Sequence, residues 1–270
     1  MFTAKVFKYP DGYQVRIYKH AVMEISKGDF YPGEAPEKEK EFNPFTNRKE
    51  VIPDLPDKDR SARVSLARTK QRIYYLTRSN TFRWFVTLTF NPEKVNSFDY
   101  DECVTHLSDW LSNAKKKCPG MKYIVVPEMH KSGRWHFHGL FSDCSELGFV
   151  DSGHCSRGGQ TIFNIGTYRL GWTTATEITD SRRCARYICK YITKTLCVMS
   201  FGRRRYWASR NLDKAEIKSA VIQGGSKNLY MDYLKEFSDY IKTVKSVFNE
   251  VTYIDLFSSD SIDISPFIDS

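Results

Sequence analysis

Apolar and β-branched residues alternate with polar ones from the start of the chain. Lys5-Val6-Phe7-Lys8-Tyr9 and Tyr13-Gln14-Val15-Arg16-Ile17-Tyr18 flank Pro10-Asp11-Gly12, which predicts a β-hairpin. From Gly28 to Asp59 the alternation gives way to prolines and charges, the composition of a linker or arm. A basic helix is predicted from Arg60 to Arg78, with Val64, Leu66, Ala67, Ile73 and Leu76 as its apolar positions. Trp84-Phe85-Val86-Thr87-Leu88-Thr89-Phe90 is the most strand-like run, and Asn91-Pro92 closes it. Asp99, with Glu102 three residues on, reads as a capping box for a helix whose core stripe is Val104, Leu107, Leu111 and Ala114.

Two strands follow, Tyr123 to Met129 and Arg134 to Phe141, joined by a turn around Lys131-Ser132-Gly133. The Gly- and Ser-rich stretch from Ser142 to Gly171 reads as a surface insertion, and Trp172 to Ile178 as another strand. Thr179-Asp180-Ser181 supplies N-caps for a helix from Arg182 to Leu196. After Val251 the chain carries Asp255, Asp260, Asp263 and Asp269 and no Lys or Arg, the pattern of a flexible tail. This order predicts an α+β fold, a central antiparallel sheet with flanking helices. It also divides the chain into an N-terminal hairpin and arm (1–59), a core domain (60–215), and a C-terminal helical extension with an acidic tail (216–270).

Composition narrows the partners. The 270 residues are 41% hydrophobic and 14% aromatic, enough for a packed core, and the formal net charge is +9. That balance points to a polyanion, nucleic acid before an anionic membrane. No apolar run approaches the roughly 20 residues of a membrane helix. Lysines already interrupt Met1 to Lys8, so no signal peptide is read there, and the expected location is cytoplasmic. The seven cysteines form no CxxC pair, which predicts reduced thiols. Cys144 with His154-Cys155 matches no standard zinc spacing.

The candidate chemistry lies in two places. His136-Phe137-His138 sits within a strand, so both imidazoles share one face and Phe137 takes the other. A turn centred on Ser132 sets Glu128 opposite His136, with its side chain on the same face. Two nitrogens and one oxygen suit Mg²⁺ or Mn²⁺, and also Zn²⁺ or Fe²⁺. His130, at the turn, is a substitute ligand. Further on, Tyr187 and Tyr191 stand four apart on one helix face. Arg183, Lys190 and Lys194 lie on one side of that pair, and Cys184, Ile188, Ile192 and Thr195 on the other. A tyrosine is a weak nucleophile near neutral pH, and nearby lysines or a divalent ion favour its phenolate. Alone, an HxH pair reads first as structural and the tyrosines with their lysines as ordinary packing and solvated charge; Glu128 opposite His136 makes a metal site the better reading of the histidines.

Taken in order, Phe85-Val86-Thr87-Leu88-Thr89-Phe90, His136-Phe137-His138-Gly139-Leu140 and Tyr187-Ile188-Cys189-Lys190-Tyr191-Ile192-Thr193-Lys194 resemble the HUH endonuclease superfamily. Within it the chain resembles the two-tyrosine initiators of rolling-circle plasmids and of microviruses. The resemblance covers roughly residues 60 to 200. It implies a site-specific endonuclease and ligase for single-stranded origin DNA, with a 5′-phosphotyrosine intermediate and Mg²⁺ or Mn²⁺ as cofactor. His136, His138 and Glu128 would be the metal ligands. Tyr187 and Tyr191 would be the nucleophiles, with Lys190 and Lys194 on phosphate and Thr87 and Thr89 as structural support. No GxxxxGK[ST] loop occurs, since Gly224-Gly225-Ser226-Lys227 does not match, so a host helicase and DNA polymerase in a bacterial cell are the implied partners. The run Arg203-Arg204-Arg205-Tyr206-Trp207 reads equally as added DNA affinity through stacking on unpaired bases and as a charged loop with a partly buried Trp. The alternatives are a non-catalytic single-strand-binding protein, or another HUH enzyme such as a relaxase or a transposase.

Overall fold

A computed structural model describes residues 1–23, 41–43, 48–50, 58–192, 204–222, 226–245 and 249–257. The chain forms two compact units. One joins Met1–Lys8, Gly12–Ser61 and Ile217–Ser270, and the other joins Tyr9–Asp11 and Ala62–Glu216. The fold is α+β, and among the described residues it holds two large antiparallel sheets and a two-stranded pair.

In the first unit, β1 (Phe2–Tyr9) and β2 (Gly12–Val22) form the expected hairpin. Gly12 takes the positive φ of 129° that the tight turn requires. The same sheet contains β12 (Glu216–Ala220), β13 (Ser238–Lys245) and β14 (Glu250–Phe257), in the order β12-β1-β2-β14-β13. The acidic stretch read as a tail therefore begins as a strand inside a sheet. Asp255 is buried there because Gln14 Nε2 donates to its Oδ1 at 2.8 Å. Residues 258–270 lie outside the described residues. A helix does occupy part of the C-terminal run (Lys227–Glu236), and its Leu234 joins Val6, Val15, Ile17, Ile254 and Leu256 in this unit's core. Of the stretch read as an arm, β3 (Glu41–Asn43) and β4 (Arg48–Glu50) pair with each other, and most of the rest lies outside the described residues.

The second unit holds a seven-stranded sheet. Its strands are β5 (Trp84–Phe90), β6 (Tyr123–Met129), β7 (Trp135–Phe141), β8 (Phe149–Cys155), β9 (Thr161–Ile165), β10 (Gly171–Glu177) and β11 (Trp207–Ala208). The order is β11-β6-β7-β5-β10-β9-β8, antiparallel throughout. Alternation in β5 decides its two faces. Trp84, Val86, Leu88 and Phe90 are buried, whereas Phe85, Thr87 and Thr89 are half-buried. The buried set packs in one core with Phe137 and Phe141 of β7 and with Leu107, Trp110, Leu111 and Ala114 of α2 (Tyr100–Lys117). Asp99 caps α2 by accepting from the amides of Asp101 and Glu102, but Glu102 accepts from the Asn96 amide rather than closing the expected box. α1 (Lys58–Arg78) contributes the fully buried Ile73.

Two expectations change in this unit. The stretch read as a surface insertion supplies β8 and β9, a hairpin that widens the sheet. Phe149 stacks on Trp84 with centroids 4.2 Å apart, and Phe163 meets the same ring edge-on. The last helix is shorter than expected. α3 (Ser181–Ile188) passes into a 3₁₀ turn at Cys189–Tyr191, and Ile192 leaves helical geometry. Asp180 is its N-cap, accepting from the Arg183 amide at 2.8 Å. Among the described residues no helix is long and apolar enough to cross a membrane.

Gly139 leaves room for its own neighbours. A Cβ there would lie 2.5 Å from the Phe141 ring and 3.2 Å from Val125. Gly139→Ala is expected to destabilise the protein by about 1–3 kcal/mol through overpacking, read as a lower urea midpoint at unchanged slope. An unchanged midpoint would show that Phe141 repacks freely.

Candidate active site

Strand register assembles the site. Glu128 of β6 pairs with His136 of β7, and His136 pairs with Thr89 of β5. One step along, Val126 pairs with His138, and His138 with Thr87. Both histidines thus share a face with Glu128, as the sequence predicts, and also with Thr87 and Thr89. Phe137 points the other way, wholly buried between Phe90 and Trp207.

Each imidazole is held through Nδ1. Thr89 Oγ1 lies 3.1 Å from His136 Nδ1, and Thr87 Oγ1 lies 3.1 Å from His138 Nδ1. That leaves both Nε2 atoms for other work. His138 Nε2 lies 2.6 Å from Glu128 Oε2. Burial lowers the pKa of His138 and outweighs the opposing pull of Glu128. Burial also lowers the pKa of His136, helped by the nearby His130. Both rings are therefore neutral near pH 7, and the His138–Glu128 contact is a hydrogen bond from Nε2–H to carboxylate rather than an ion pair. In that tautomer the Thr87 hydroxyl donates to Nδ1. A cation on Nε2 needs the other tautomer, and the same hydroxyl then accepts.

The donor set fits a divalent cation: two neutral imidazoles, with hydroxyl partners fixing their orientation, beside one carboxylate. His138 Nε2 and Glu128 Oε2 lie within hydrogen-bond distance, but the three side chains do not all bring their donor atoms within 4.8 Å of one another. Among the described residues the only group meeting that spacing is Cys118, Cys144 and Glu146. Cys144 thus faces Cys118 and Glu146 rather than His154 and Cys155, which are exposed on the edge strand β8. His130 Nδ1 lies 3.1 Å from Ser132 Oγ within its own turn, and its ring is 5.4 Å from that of His136.

The tyrosines meet this cluster directly. The Tyr191 ring stacks on His138 with centroids 3.7 Å apart and planes 15° from parallel. Tyr191 Oη donates to Tyr187 Oη at 3.0 Å, and Phe85 packs against the Tyr187 ring at 5.4 Å. Burial raises the pKa of Tyr191, and the neighbouring Tyr187 hydroxyl raises it further. Tyr187 is 43% exposed. Lys190 Nζ sits 4.9 Å from the centre of the Tyr187 ring. Lys194 lies outside the described residues. Tyr9, near the N-terminus, is buried beneath the Arg78 guanidinium, 4.4 Å from its ring centre.

A groove of about 930 Å³ runs beside the edge strand β11. Arg72, Lys116, Arg204, Arg205, Arg210 and Lys214 line it, together with Tyr123 and Tyr206, and among the described residues no acidic one does. Arg203 lies outside the described residues. Of the two readings of the arginine run, the buried-Trp one holds for Trp207, which is buried and pairs with Val125.

Residues 83–196, which contain β5, the histidine strand and both tyrosines, match a family model of replication-associated proteins of the ORF2 type. That match supports a replication-initiator family. No curated protein and no solved structure matches the chain.

Sequence reasoning missed Trp172 as a site residue. It is 60% exposed and pairs with Thr89, on the histidine face. Strand alternation from the histidines cannot reach β10 without knowing that β10 pairs with β5. Replacing Thr87 and Thr89 by Val should lower Mn²⁺ affinity about 10- to 100-fold, measured by titration calorimetry. Wild-type affinity in the double variant would mean that the hydroxyls do not orient the ligands.

Proposed function

We propose that the protein initiates rolling-circle replication by nicking and rejoining single-stranded origin DNA through a tyrosine. The observation that carries this reading is the contact of Tyr191 with His138, which sets a pair of hydrogen-bonded phenols on the two-histidine face. His136, His138 and Glu128 would hold Mg²⁺ or Mn²⁺. Such an ion, when bound, polarises a phosphodiester and offsets the charge that develops on it.

Tyr187 is the first nucleophile in this account. It is the more exposed phenol, its oxygen accepts the Tyr191 hydroxyl, and Lys190 places a positive charge beside its ring. The Tyr187 oxygen attacks phosphorus, and the bond from phosphorus to the 3′-oxygen breaks. The phenolic proton is lost, and the leaving 3′-oxygen takes one up. The products are a 5′-phosphotyrosine and a free 3′-hydroxyl for a host polymerase, with strand separation left to a host helicase. Tyr191 repeats the chemistry on the regenerated origin, and the 3′-hydroxyl then released attacks the first phosphotyrosine to close a circle. The basic groove binds DNA beyond the cleavage point through its phosphates.

The test uses labelled single-stranded DNA spanning the replicon's own origin, with Mn²⁺, on a denaturing protein gel. A covalent adduct is expected. It should vanish with EDTA and in the Tyr187→Phe/Tyr191→Phe double variant, while DNA binding by that variant stays within about two-fold, since one hydroxyl pair adds little to a phosphate-dominated interface. Tight binding with no adduct under any divalent metal would leave a binding protein in place of the nickase.

A further inference from the structure

Beside His136 lies a cavity of about 220 Å³ that the reaction itself does not use. Phe90 and Trp135 give it apolar lining, and Ser97, His130 and Arg134 give it polar lining. Trp172 also lines it while remaining 60% exposed. An indole left this open beside a cavity offers a free π-face. Its position is built in. A Cβ on Gly171 would lie 2.2 Å from the Thr89 carbonyl oxygen, so glycine is what lets β10 run this close to β5 just before Trp172.

A second observation points the same way. Ser97 is 3% exposed, lines the cavity, and its Oγ has no hydrogen-bond partner among the described residues. A buried hydroxyl without a partner is costly, and such groups are rare unless a ligand or water completes them. Arg134 is kept at the cavity by its contact with the Phe98 ring, 5.3 Å from the guanidinium carbon.

We infer that this cavity is a nucleobase subsite, which takes one unpaired base of the single strand against Trp172 and reads its edge with Ser97. The inference rests on the nicking reading, because it places the base next to the phosphate held at His136 and so selects the position of the cut. Single-stranded DNA suits it: unstacked bases offer π-faces, and one stacked base contributes enough to matter for binding.

The experiment measures binding of short homopolymeric oligodeoxynucleotides, one for each base, by fluorescence anisotropy. Wild type is compared with Trp172→Ala, Trp172→Phe and Ser97→Ala. Wild type should prefer one base. Trp172→Ala should bind about ten-fold or more weakly, as loss of one stacked base predicts, and Trp172→Phe should keep most of the affinity. Ser97→Ala should fold at least as stably as wild type and should narrow the preference among the bases. If Trp172→Ala binds all four oligonucleotides like wild type, the subsite is wrong. Adduct formation by the same proteins separates the two claims. An adduct that forms equally well in wild type and Trp172→Ala leaves the nickase and removes the subsite. A Trp172-dependent affinity with no adduct in any protein leaves the subsite and removes the nickase.

Discussion

The register of three strands is the constraint on which the candidate site depends. Side chains alternate along a strand, so a slip of one residue between β6 and β7, or between β7 and β5, would turn His136 and His138 into the core and expose Phe137. The turn pins that register. Gly133 adopts a φ of 84°, its amide donates to the His130 carbonyl at 2.9 Å, and the His130 amide donates to the Arg134 carbonyl at 2.8 Å. On the far side, Phe137 is held between Phe90 and Trp207. The apolar face therefore fixes the polar one. Core packing is what aims the imidazoles.

Burial then sets the chemistry available on the polar face. It keeps both histidines neutral, the form a cation needs, and it holds Tyr191 as a phenol. A protonated Tyr191 donates to Tyr187, so the two phenols are coupled by a hydrogen bond. Threonine suits the positions beneath the histidines for a related reason. A hydroxyl both donates and accepts, so it supports either imidazole tautomer where an amide or a carboxylate would favour one.

Much of this was legible in the sequence because it is local. The three-residue turn around Ser132 is short enough to fix the pairing of Glu128 with His136, and the four-residue spacing of the tyrosines survives the change from α3 to a 3₁₀ turn. Long-range pairing was not legible. β14 buries alternate residues at Thr252, Ile254 and Leu256, but its partner β2 lies more than two hundred residues earlier, and Asp255 made the segment read as a tail. Within that strand the Asp255 carboxylate accepts from Gln14 Nε2. Trp172 was readable as part of a strand, but its place beside the histidines follows from β10 pairing with β5. The early end of α3 carries no glycine or proline to announce it.

The central claim is that the sheet register delivers a tyrosine to the histidine pair, and peptide mapping of the DNA adduct tests it most directly. Cleavage after Arg186, Lys190 and Lys194 puts Tyr187 and Tyr191 on separate tryptic peptides. After nuclease trimming, mass spectrometry should find a nucleotide on Tyr187 in the peptide 187–190 when the origin strand is cut once. A nucleotide on a tyrosine outside residues 187–191, or on another residue type, would contradict the account.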